Sequence, residues 1–139
     1  MGRETLEEPM LTSDVFLEAA APFRHRTRFA SLRAAARGLV MLWRDEPNLR
    51  LQVWIALVVM AAGVVMGLSV VEWRWVSLAI GLVLTTEMMN CVIERTINFI
   101  VGAQAHPTAR WIKDASAGCV LAASILAMAI GILTFGSHL

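Results

Sequence analysis

The chemistry in this chain is concentrated in one apolar stretch. Glu87, Asn90, Glu94 and Asn98 follow one another at intervals of three, four and four residues. On a helix turning about 100° per residue they share an arc of about 80°. Two carboxylates and two amides thus form one stripe on one face. An ionised group near a bilayer centre costs about 2.5–3.5 kcal/mol on insertion scales. A stripe this polar cannot face lipid. It must face a protein interior, a wet cleft or a partner subunit. Asparagines alone would suit a structural seam between helices. The two glutamates point to function instead.

Further polar groups lie beyond the stripe. Glu46 and Arg50 precede one apolar run, and Lys113 and Asp114 open another. Carboxylate oxygens can hold a divalent cation. Lys113 is the single lysine beside eleven arginines, and an ammonium is a compact charge suited to phosphates. Arg95 lies off the stripe; it can pair with Glu94 along the helix surface or snorkel toward water, and snorkelling is its expected role. Cys91 and Cys119 have no second cysteine or histidine at metal-ligand spacing. Both read as small buried hydrophobes.

The elements that hold these groups follow from composition. The 139 residues are 58% apolar without counting glycine, and 17% charged. Soluble domains reach only about 45–50% apolar with glycine included. Composition therefore disfavours a soluble enzyme, a disordered chain and a nucleic-acid-binding module, and fits an integral membrane protein. Residues 51–71 hold no charge and one polar side chain, Gln52, before Ser69. At 1.5 Å per residue they cover about 31 Å, enough for a bilayer core of about 30 Å. Residues 115–135 match them in length and lack of charge. Residues 75–101 carry the stripe and, at about 40 Å, exceed what the core needs. The expected architecture is all-α, with spans at 51–71, 75–101 and 115–135.

Residues 29–46 read differently. Phe29, Leu32, Ala36, Leu39, Val40 and Trp43 recur at helical spacing, with Arg33, Arg37 and Arg44 on other faces. This is a basic amphipathic helix suited to a membrane interface. Pro47 ends it. Residues 1–22 hold one arginine against five acidic residues, and form an acidic tail with no assignable chemistry. Residues 23–50 hold seven arginines against Asp45 and Glu46. The positive-inside rule puts this segment and the loop at 102–114 in the cytoplasm. Glu46, Glu94, Asn98, Lys113 and Asp114 then converge on one leaflet. Trp73 and Trp75 are expected at the outer interface, and Trp43 and Trp111 at the inner one.

The motifs resemble a known family. Glu87-Met88-Met89-Asn90-Cys91-Val92-Ile93-Glu94 resembles the E-x-x-N-x-x-I-E signature of the small bacterial diacylglycerol kinases, a family that includes undecaprenol kinases. Ala35-Ala36-Arg37-Gly38-Leu39, Glu46-Pro47-Asn48-Leu49-Arg50, Val71-Glu72-Trp73, His106-Pro107 and Lys113-Asp114-Ala115-Ser116-Ala117-Gly118 match further family motifs in order, within residues 29–133. The resemblance implies a lipid kinase of the bacterial inner membrane, with residues 23–139 as the kinase domain. It implies a homotrimer of chains with three spans and a surface helix each, and sites shared between neighbours. It implies Mg²⁺ and ATP as cofactors, used without a Walker loop.

Roles carry over by position. Glu87 would be the general base, or would at least orient the lipid hydroxyl, and Asn90 would help position the reacting groups. Glu46 and Glu94 would hold Mg²⁺ on the ATP phosphates. Lys113 would bind phosphate, and Asp114 and Asn98 would belong to the nucleotide site. The family usually has aspartate where Asn98 stands, so charge is lost there and nucleotide affinity should be weaker. Cys91 replaces a small hydroxyl residue. The acceptor would be diacylglycerol or undecaprenol. The E-x-N-x-R stretch and the V-E-W loop look more like the undecaprenol-kinase branch. The rival reading is a non-enzymatic trimeric bundle that conducts cations or protons. Against it, residues 76–86 carry only Ser77, Thr85 and Thr86 as polar side chains, too few to line a conduit.

Overall fold

Two prolines and one glycine divide the chain into its helices. The computed structural model describes residues 27–102 and 106–138, and among these every regular element is α-helical. The expected acidic tail, residues 1–22, lies outside the described residues.

Helix α1 is Arg28–Asp45. Thr27 opens it, its hydroxyl oxygen accepting the Ala30 N–H at 3.4 Å, as an N-cap does. Proline cannot follow a helical residue without clash. Glu46 is accordingly extended, at φ −107° and ψ 103°, and Pro47 sits at the start of the next helix. None of the residues of α1 is buried.

Helix α2 is Pro47–Met66. It stops at Gly67, whose φ of 71° and ψ of 41° are left-handed. The Gly67 N–H reaches the Val64 carbonyl at 3.2 Å, and the Leu68 N–H reaches the Gly63 carbonyl at 3.1 Å. This is the Schellman closure. Leu68 is buried against the helix it terminates.

Helix α3 is Val70–Val101, 32 residues or about 48 Å. Ser69 caps it. Glu72 Oε2 accepts the Ser69 N–H at 2.7 Å and the Ser69 hydroxyl at 2.6 Å. Ser69 Oγ accepts the Glu72 N–H at 3.4 Å, completing a capping box. The break between α2 and α3 is therefore Gly67–Leu68–Ser69, earlier than the gap at residues 72–74 between the expected spans. Residues 70–74 are helical because Ser69 and Glu72 satisfy the first donors. Helix α4 is Pro107–Gly136, preceded by extended His106. It begins well before residue 115, again because proline fits the first turn.

Ala36–Leu139 forms one compact unit. Within it α3 is central, packed extensively along α4 and less extensively on α2. The buried apolar positions are mostly small: Ala56, Ala79, Ala109 and Ala123, with Gly63. Small residues let helix backbones approach, the usual device between membrane helices. The large apolar side chains face outward, among them Trp54, Val65, Leu78, Phe99, Leu121 and Leu133. Such a surface is unsuited to water. Helices α2, α3 and α4 are each long and apolar enough to cross a membrane, as expected from sequence.

Trp73 is half-buried and packs its ring over Gly63, where a β-carbon would sit 3.0 Å from Cη2. One expectation fails at this level. Cys119 is exposed on α4, while Cys91 is buried as expected.

Candidate functional site

The polar stripe runs down α3 and touches both neighbouring helices. Glu87 is the most enclosed member, at 4% exposure. Its Oε2 accepts a hydrogen bond from Gln52 Nε2 on α2 at 3.1 Å. One turn on, Asn90 is also buried. The Ser116 hydroxyl of α4 donates to Asn90 Oδ1 at 2.5 Å and lies 2.9 Å from the Lys113 carbonyl oxygen. Further along, Asn98 is exposed and its Oδ1 accepts from Lys113 Nζ at 3.2 Å. The stripe therefore changes character along its length. Glu87 and Asn90 are tied into the helix interface, Glu94 is half-buried, and Asn98 opens to the surface.

Arg95 overturns its expected role. It does not snorkel. Nε and Nη2 donate to Glu46 Oε1 at 3.0 and 2.9 Å, and Nη2 reaches Asp45 Oδ2 at 3.2 Å. The guanidinium thus clamps the α1–α2 junction to α3. Its side chain is 45% exposed, so the pair adds little stability by Coulomb attraction alone. Its effect is positional. Both bonds to Glu46 end on Oε1, which leaves Oε2 outside the clamp.

Glu46 and Glu94 each lie near enough to Glu87 for their charge to be felt there, and all three are felt at buried Cys91. Among the described residues no three acidic, histidine or cysteine side chains gather closely enough to hold a metal by themselves. Mg²⁺ rarely needs that. It is commonly bound by one or two carboxylates, with waters and substrate phosphates as the remaining ligands. Glu46 and Glu94 supply hard oxygen donors of that kind.

Asp114 stands apart from the other candidates. It faces Arg110 one turn away at 3.9 Å, both side chains largely exposed. Ile97, Asn98, His106, Arg110, Lys113 and Asp114 line an open depression between the end of α3 and the start of α4. Sequence reasoning missed two residues of this site. Ser116 was visible as a hydroxyl inside the K-D-x-x-A-G match. Gln52 was visible as the one polar side chain in its span before Ser69.

The model of the prokaryotic diacylglycerol kinase family matches residues 33–135. The chain belongs to that family. The match contains Glu46, Glu87, Asn90, Glu94, Asn98, Lys113 and Asp114. An undecaprenol kinase of Bacillus subtilis is 35% identical over 107 residues, covering 77% of this chain and 86% of that protein. A diacylglycerol kinase of Synechocystis is 29% identical over 101 residues, covering 73% of this chain and 58% of the relative. As a member of this kinase family with three apolar helices, the chain is a multi-pass membrane enzyme, a lipid kinase. A non-enzymatic cation conduit is not the reading these relationships support.

Proposed function

We propose that this kinase transfers the γ-phosphoryl group of ATP to the primary hydroxyl of undecaprenol, with diacylglycerol as the second candidate acceptor. The observation that carries the reading is the buried Glu87, a carboxylate held by Gln52 among apolar helix faces. A lipid hydroxyl can approach from the hydrocarbon side, and a nucleotide from the exposed end of the stripe. The 35% identity to an undecaprenol kinase over most of both chains favours the polyprenol.

The reaction asks the protein mainly for positioning and charge neutralisation. Glu87 accepts the hydroxyl proton as the lipid oxygen bonds to the γ-phosphorus. The bond from that phosphorus to the β–γ bridging oxygen breaks, and ADP leaves. Asn90, fixed by Ser116, orients the reacting groups. Lys113, steered by Asn98, contacts phosphate, and Asp114 supports the nucleotide. Glu46 and Glu94 would hold Mg²⁺, which supplies neutralising charge to the phosphates. The site faces the cytoplasmic leaflet, where the basic segment places the N-terminus. The enzyme works as a homotrimer, whose neighbours cover part of the outward apolar surface.

The test is phosphorylation by the purified chain in vesicles holding undecaprenol or dioleoylglycerol, with ATP and Mg²⁺. Undecaprenyl phosphate should form faster than phosphatidic acid, and chelation of Mg²⁺ should stop both. Faster phosphatidic acid formation would reverse the acceptor assignment. Product from neither lipid would overturn the reading.

A further inference from the structure

The proposed mechanism leaves one buried polar atom unused. Gln52 donates its amide N–H to Glu87, but its Oε1 is buried and has no hydrogen-bond partner among the described residues. A carboxylate only accepts hydrogen bonds, so the amide orientation that gives N–H to Glu87 turns Oε1 elsewhere. Buried acceptors are nearly always satisfied in folded proteins, so a donor is missing.

The surroundings limit what that donor can be. Gln52 lines a groove of about 540 Å³ between α2, α3 and α4. Ile55, Ala56, Val76, Ile80, Met128 and Phe135 are among the other walls. Along α3 the groove extends from Leu84 to Val76, about 12 Å at helical rise. Its polar groups are few, and Gln52 lies at the end nearest Glu87. A water has more hydrogen-bonding capacity than this wall offers. A hydrocarbon segment ending in one hydroxyl suits it: the segment would lie along the groove, and the O–H would meet the unpaired oxygen.

We infer that Gln52 binds and positions the acceptor: Oε1 receives the lipid hydroxyl while Nε2 holds Glu87 beside it, with the lipid hydrocarbon in the groove. The inference rests on the lipid-kinase reading with Glu87 as base. No bond is made or broken at Gln52. The hydroxyl docks by donating to Oε1 and passes its proton to the adjacent Glu87 carboxylate as the oxygen attacks.

The two halves of the amide then have separable effects. Gln52→Leu removes both, and should raise the lipid KM about tenfold, the effect of a hydrogen bond at the upper end of the usual range, while also lowering kcat. Gln52→Glu keeps an acceptor oxygen and loses the N–H. It should hold the lipid KM near wild type and lower kcat. The KM for ATP should be unchanged in both. Hydroxyl-free analogues provide the control: the saturated-end polyprene, and the propanediol diester in which CH₂OH is CH₃. As competitive inhibitors they should bind wild type and Gln52→Leu equally, because neither can donate to Oε1. Equal weakening of the analogues and the hydroxyl lipids would mean that Gln52 only shapes the groove, and would overturn the inference. So would a wild-type lipid KM and kcat in Gln52→Leu. Wild-type protein that phosphorylates neither lipid would overturn the functional reading itself, which separates the two failures.

Discussion

Ser116 and Asn90 form the tightest polar contact in the site, and both are buried. Ser116→Ala leaves Asn90 Oδ1 without that donor, at a cost of about 1–3 kcal/mol. Unfolding in detergent micelles should register that loss, and turnover should fall with it because Asn90 is released. Glu46 and Glu94 make a different prediction. If both engage one nucleotide-borne cation, Glu46→Gln and Glu94→Gln should each raise the Mg²⁺ concentration needed for half-maximal rate. The double variant should lose little more than the worse single, since groups acting as a unit are non-additive. Losses that multiply, with no recovery in excess Mg²⁺ or Mn²⁺, would show two independent roles. The stripe itself was legible, because helical spacing alone places four residues on one face. The Arg95 clamp was not. Its partners lie 49 and 50 positions away, and only the packing of α2 against α3 brings them within reach. Gln52 was legible as an anomaly, but not as a partner of Glu87, for the same reason.

Helix ends carry the architecture at the next scale. Pro47 was read correctly as a boundary because proline constrains the residue before it wherever it stands. Pro107 was not read so, and α4 starts there rather than at residue 115. The turn at Gly67 was placed too late in the chain. The missed signal was Ser69-Val70-Val71-Glu72, an S-x-x-E capping box that starts α3 directly after the turn. Gly67 is left-handed, and a β-carbon is strained there by about 1–2 kcal/mol. Gly67→Ala should therefore destabilise the chain by about that amount. Gly38 is its contrast. It lies inside α1 with nothing within 4 Å of a β-carbon, so Gly38→Ala should be neutral or stabilise by up to about 1 kcal/mol. Parallel denaturation of the two variants checks both signs. Equal effects would mean that the α2–α3 turn tolerates another backbone conformation.

At the scale of the molecule, the outward face is the main fact. Large apolar side chains cover α2, α3 and α4, and the enclosed positions are mostly small or polar. Length and composition made the three spans plain, since nothing else accommodates such runs. Assembly was not legible in the same way, because lipid and a neighbouring chain present similar apolar surfaces to a helix. If sites are shared in a homotrimer, mixing inactive Glu87→Gln and Lys113→Ala chains should restore activity above either parent. No recovery would place a whole site within one chain. The most direct test of the account is the rate of phosphate transfer from ATP to lipid by Glu87→Gln, measured beside wild type in the same vesicles. Glutamine keeps the size of the side chain and removes the base, and general-base catalysis is typically worth about 10²–10⁴-fold. The account predicts a loss of at least about 10²-fold, with assembly and the KM for ATP preserved. A Glu87→Gln protein that phosphorylates lipid at the wild-type rate would contradict it.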